Sequence, residues 1–131
     1  MIKRLTLDRK IKDNGNKLYI NVYNLMKHQR EYYREIHQDN GKLSAKQILK
    51  SKDFKVILTM YNNDVIGYID LKRNERPLEI YNLYIKDEVI NKEEVIYQML
   101  YLITKENNGN IVFDVEENSE YYQIFLNLGF K

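Results

Sequence analysis

A single carboxylate opens an apolar strand face near the middle of this chain. In Leu78-Glu79-Ile80-Tyr81-Asn82-Leu83-Tyr84-Ile85 successive side chains alternate, so Glu79 is expected to share a face with Tyr81, Leu83 and Ile85. A carboxylate among apolar neighbours holds its proton more tightly than one in water, which brings it toward the range where a general base works. The plainer alternative for Glu79 is a solvated carboxylate paired with Arg73 or Arg76. His28 and His37 are nine residues apart, whereas one helical face brings together residues three, four or seven apart, and no companion ligands accompany them. They read as surface histidines, and no metal site is expected. Cysteine is absent, which removes thiolate chemistry and a disulfide framework and fits a reducing, cytoplasmic setting.

These residues need a scaffold. Lys55 to Tyr61 and Val65 to Leu71 are β-rich runs joined by Asn62-Asn63-Asp64, a hairpin signal, and the run after Pro77 adds a third strand. Ile2 to Asp8 alternates loosely enough for an edge strand, and Asn14-Gly15-Asn16 breaks the chain. From Lys17 onward Leu18, Val22, Leu25, Met26, Gln29, Tyr32, Tyr33 and Ile36 recur at three and four, predicting one amphipathic helix to about Asp39-Asn40-Gly41. Ser44 with Gln47 has the form of a capping box and opens a short helix through about Ser51. Asn91 begins a helix with Val95, Ile96, Met99, Leu100, Leu102 and Ile103 inward, closed by Asn107-Asn108-Gly109. Ile111 to Val115 reads as a buried strand, and Asn118 or Ser119 caps a last helix carrying Tyr121, Tyr122, Ile124, Phe125 and Leu128. The 131 residues are expected to form one domain, 1–131. A net charge of +2 without a basic tract does not point to nucleic acid, and no apolar stretch approaches the length of a membrane span.

Val65 to Tyr68, Glu79 to Ile85, and Asn118 with Phe125, Leu128, Gly129 and Phe130 together resemble the GNAT superfamily of acyl-CoA-dependent N-acyltransferases. They match its V-G-Y strand, its E-I-x-x-L-Y-V strand and its N-x(6)-Y-x-x-L-G-F stretch, and the resemblance runs through the whole chain in element order. It implies an α/β (α+β) three-layer domain with a mixed, mostly antiparallel sheet flanked by helices, in the order β-α-α-β-β-β-α-β-α. The family's final strand pair is missing or supplied by a partner, which leaves an open edge beside Ile111 to Val115 and points to a homodimer or a tandem partner domain.

The resemblance further implies acetyl transfer from acetyl-CoA to a small-molecule or peptide amine. Glu79 would be the general base, the amides of a splayed strand from Leu83 to Ile85 would hold the thioester and pantetheine, and Asn118 would contact the cofactor. Two parts depart from the pattern. In the pyrophosphate loop, Ile90 replaces Gln/Arg, Glu93 the first glycine and Val95 the small residue, and the acids Asp87, Glu88, Glu93 and Glu94 suit the helix dipole while repelling a polyphosphate. Phe125 stands where the family has a proton-donating tyrosine; Tyr121 or Tyr122 lies one turn earlier and could substitute, although packing or partial exposure on an amphipathic helix is the plainer role for both. The alternative that these departures imply is a non-catalytic GNAT-fold binding or assembly domain, or half of a tandem protein, that has lost acetyl-CoA binding.

Overall fold

The computed structural model describes residues 1–15, 20–73, 77–107 and 110–131. The strands are β1 (Ile2–Leu7), β2 (Asn21–Asn24), β3 (Phe54–Tyr61), β4 (Asp64–Lys72), β5 (Leu78–Ile85) and β6 (Ile111–Glu116). They form a six-stranded sheet in the order β1-β6-β5-β4-β3-β2, antiparallel throughout except for the parallel pair β5 and β6. A short 3-10 turn (Lys27–Gln29) leads into α1 (Arg30–Ile36), followed by α2 (Ala45–Lys50), α3 (Lys92–Glu106) and α4 (Glu120–Asn127). Tyr33, Ile36 and Ile48 from α1 and α2 pack on one face with Val56, Leu58 and Tyr68, while α3 and α4 cover the other with Ile57, Ile69, Leu71 and Ile85. The result is the expected three-layer α/β arrangement.

Local chemistry explains the best-defined elements. β3 and β4 are joined by Asn62 and Asn63, both at positive φ (47° and 65°), the backbone that a two-residue hairpin turn of matching twist requires and that asparagine tolerates. Ser44 and Gln47 make the reciprocal capping box expected at α2. Val95, Ile96, Met99, Leu100 and Ile103 are the buried stripe of α3, Leu102 is partly buried, and the Asn91 side chain accepts from Glu94 N–H to cap it. Of the two candidate caps for α4, Ser119 is the one that accepts from the helix, through Tyr121 N–H at 3.2 Å. The stop at Asn108-Gly109 lies outside the described residues.

Two expectations are corrected. The helix predicted from Lys17 is, over its first described part, the strand β2, with Val22 opposite Thr59 and Tyr23 opposite Leu58; Lys17 and Leu18 lie outside the described residues, as does Asn16 of the chain break. Ile20 and Val22 pack toward the α3 side and Tyr23 and Leu25 toward the α1 side, so pairing with β3 overrides a spacing that also fits a helix. The helical period holds only for Arg30–Ile36. The element order is therefore β-β-α-α-β-β-β-α-β-α. The edge beside Ile111 to Val115 is also not open, because β1 pairs with β6 along six residues, from Ile2 opposite Glu116 to Leu7 opposite Ile111. Leu5 and Leu7 enter the core, Arg4 forks onto Asp114 at 2.9 and 3.0 Å, and Thr6 exchanges backbone bonds of 2.9 and 3.0 Å with Lys131 on the other side of β1.

Candidate functional site

The parallel pair β5 and β6 is short. It holds only from Leu78 to Ile80 against Ile111 to Phe113, and beyond Ile80 the two strands part while β5 stays paired with β4 through Ile85. A gap between strands presents backbone N–H groups that no ladder claims, and such groups must find other partners. Leu83 N–H turns to its neighbour's Asn82 Oδ1 at 3.1 Å, and Ile85 N–H donates to the Tyr121 hydroxyl on α4 at 3.1 Å. The two amides that the sequence singles out thus both stand outside the sheet ladder.

Glu79 lies at the closed end of this gap, and its face differs from the expected one. Asp70 is opposite Asn82 while Leu71 is opposite Ile80, which makes Tyr81 an extra residue, a β-bulge on β5. The bulge shifts the alternation: Leu83 and Ile85 join Ile80 in the core on the α3 side, while Tyr81 and Tyr84 pack on the α1 side. Glu79, on the face opposite Ile80, keeps company with Tyr81 and is separated from Leu83 and Ile85. It is half-buried, within electrostatic reach of Lys42 and Arg4. The Lys42 ammonium donates to the Tyr81 carbonyl and lies 4.9 Å from the centre of its ring; desolvation there lowers its pKa, against the opposing pull of Glu79, Asp70 and Asp114. Arg76, one of the alternative partners for Glu79, lies outside the described residues.

Around the start of α3 the polar side chains are engaged with one another. Lys92 reaches Glu120 at 2.7 Å and Asp87 at 3.7 Å, and Asn127 donates to Glu93 at 2.9 Å. A cavity of about 370 Å³ is lined there, among the described residues, by Asp87, Glu93 and Glu120 against one cation, Lys92, together with the fully exposed Ile90. Asn118 is exposed in the turn before α4. Phe125 is buried against Phe113 and Phe130, with ring centres 4.5 and 4.9 Å away. The nearby hydroxyl comes from Tyr121, not Tyr122; burial raises its pKa, offset in part by the Ile85 N–H and Lys92, so it is a neutral phenol at pH 7.

A second cluster was not anticipated. Asp70 on β4 is fully buried, accepts from the Tyr33 hydroxyl at 2.7 Å, and its Oδ2 faces His37 Nε2 at 3.5 Å. The His37 side chain is 2 % exposed, not a surface group, and its Nδ1 meets Asp39 at 2.8 Å. Burial pulls the His37 pKa down, but hydrogen bonds and charge from Asp70 and Asp39 outweigh this and leave it raised. Beside it Tyr68, stacked on the His37 ring, accepts from Gln38 N–H at 2.8 Å and from Asn82 Nδ2 at 3.0 Å. The sequence signal was available: Tyr68 and Asp70 are both polar-tipped residues on one face of an otherwise apolar strand, and such groups in a buried strand require partners. His28 is exposed, as expected. Among the described residues no group of three or more His, Cys, Asp or Glu is placed to hold a metal, and no helix is long and apolar enough to cross a membrane.

No family model matches this chain, and no curated protein matches it in sequence. Solved structures do match. A functionally unknown conserved protein from Staphylococcus epidermidis superposes with a TM-score of 0.76 at 10% identity, over 99% of this chain and 56% of that one. A protein from Novosphingobium aromaticivorans, described as a GNAT-family acetyltransferase, gives 0.70 at 9% identity over 99% and 58%. The aminoglycoside N-acetyltransferase AAC(6')-Iy, solved with a bisubstrate analogue joining CoA to acetylneamine, gives 0.64 at 15% identity over 87% and 92%. The chain therefore has the fold of the GNAT acetyltransferases, and it spans 56% and 58% of the length of the first two proteins.

Proposed function

We propose that this chain transfers an acyl group from acetyl-CoA to an amine. The observation that carries the reading is the gap between β5 and β6, with the Leu83 and Ile85 amides outside the ladder and a neutral tyrosine hydroxyl at its mouth. Glu79 takes the proton from the acceptor ammonium, held beside Lys42 and Arg4. The amine then attacks the thioester carbonyl, the carbon–sulfur bond breaks, and the departing thiolate receives its proton from Tyr121, which replaces the hydroxyl that Phe125 lacks; the second proton shed by the acylated nitrogen restores the Tyr121 hydroxyl, and Glu79 returns its proton to solvent. The Leu83 and Ile85 amides hold the pantetheine by exchanging their present side-chain partners for its carbonyls. Asn118, in the turn before α4, contacts the cofactor from the side.

A second reading rests on the cavity at the start of α3, where three carboxylates face one ammonium. In it the fold serves as a binding or assembly domain without acetyl-CoA. Calorimetric titration with acetyl-CoA, with dephospho- and desulfo-CoA as comparisons, separates the two. Saturable binding, followed by turnover of an amine panel that Glu79→Gln slows by about 10²–10⁴-fold, supports transfer. No heat and no thermal stabilisation up to millimolar acetyl-CoA overturns it in favour of the second reading.

A further inference from the structure

At the end of the sheet away from the start of α3, a cavity of about 290 Å³ lies between β2, β3, the start of α1 and the end of α2. Its lining includes four cations, Lys27, Arg30, Lys55 and Arg73, and no carboxylate among the described residues. They come from four separate elements: the 3-10 turn, the first residue of α1, β3, and the residue after β4. Like charges gathered around one hollow repel one another unless counter-charge is supplied. Lys55 has that counter-charge in Glu106 at 2.8 Å. Lys27, Arg30 and Arg73 have no ion pair and no side-chain hydrogen bond among the described residues.

The rest of the lining argues against an ordinary solvated patch. Ile48 and Val56 are buried, Leu25, Leu49 and Phe54 are half-buried, and together they give the hollow an apolar floor. Asn24 also lines it. Its Nδ2 is committed to both Glu106 oxygens at 2.8 and 3.1 Å, which orients the amide and leaves a buried Oδ1 with no partner among the described residues. A buried acceptor without a donor is costly, and a bound hydroxyl or water satisfies it.

We propose that this basin binds a small organic phosphate: a phosphomonoester held by Arg30, Arg73 and Lys27, with an apolar body resting on Phe54, Leu25 and Leu49. A phosphate is favoured over a carboxylate because its oxygens point in several directions, which suits cations contributed by separate elements, and because guanidinium pairs phosphate oxygens in a two-pronged way. The size suits a compact ligand. This site does not depend on acyl transfer, and it lies away from the loop at Lys86 to Asn91.

The test is a titration with phenyl phosphate, read by calorimetry and by amide shifts, with inorganic phosphate and phenylacetate as comparisons in a phosphate-free buffer. The expected result is saturable binding of phenyl phosphate, weaker binding of inorganic phosphate for want of the apolar body, and weaker binding still of phenylacetate. Shifts should centre on Leu25, Arg30, Phe54 and Arg73. Because Arg30 and Arg73 are exposed, the pair Arg30→Gln and Arg73→Gln should fold normally and weaken binding by about tenfold or more, while Lys46→Gln on the outer side of α2 leaves it unchanged. Absence of saturable binding, unaltered affinity in the double variant, or shifts centred on Lys86 to Lys92 would each overturn the proposal.

Discussion

Buried polar groups set the strongest constraints on individual residues. Asp70 has Tyr33 and His37 as its only partners among the described residues, so removing one side strands the other. Asp70→Ala is expected to cost about 3–5 kcal/mol, measurable by urea denaturation. The charge state of His37 should be visible as well. Its folded pKa is raised, so its protonated form stabilises the fold. That contribution is complete below about pH 6.5, the ordinary histidine value, and is lost as pH rises through the higher folded value. The denaturation midpoint of the wild type should therefore fall with rising pH in that window, and His37→Gln should flatten this part of the curve; an unchanged slope would show that His37 does not titrate differently on folding. At the gap, Tyr121→Phe leaves the Ile85 amide without its partner, at a cost of about 1–3 kcal/mol. If Tyr121 protonates the thiolate, the variant also lowers kcat much more than it changes KM, which steady-state kinetics would show.

Among the elements, the strand pair β4 and β5 shapes the gap on which the proposed function rests. The bulge at Tyr81 turns Glu79 away from Leu83 and Ile85, while the loss of pairing to β6 beyond Ile80 frees their amides. Gly67 maintains this geometry from the β4 side, opposite Ile85. A Cβ there would stand 2.5 Å from Ile85 Cδ1 and 3.0 Å from the Tyr84 carbonyl oxygen. The isoleucine methyl can rotate only into a filled core, and the carbonyl is backbone, so the strand itself must give. Gly67→Ala is expected to destabilise by about 1–3 kcal/mol and, if the gap holds acetyl-CoA as proposed, to weaken that binding, because the displacement falls on the residue whose amide lines the gap. Retention of both stability and affinity would show that the gap adapts freely.

For the molecule as a whole, the N-terminal strand completes the sheet. β1 covers β6 along its length, and Leu5 and Leu7 are buried in the main core. Removing residues 1–7 bares the β6 edge, and the truncated chain is expected to self-associate or precipitate during size-exclusion chromatography, whereas an elution profile matching that of the full chain would contradict a sealing role for β1. Elements set by near neighbours were legible in the residues: the Asn62-Asn63 turn, the Ser44 and Gln47 box, the apolar stripe of α3 and the strand runs of β3 to β6. Each depends on backbone preferences or periodicities within a few residues of chain. Three other features arose between distant segments. Val22 and Tyr23 became strand because β3 offered an edge. β1 crossed the sheet to fill the place beside β6, and the Tyr81 bulge set the face of Glu79 by pairing with β4. The burial of His37 is of the same kind, since only the packing of α1 on β4 brings it to Asp70. Local preference selects the elements, but hydrogen-bond register and burial are properties of pairs of segments far apart in the chain, and these settled which side chains meet.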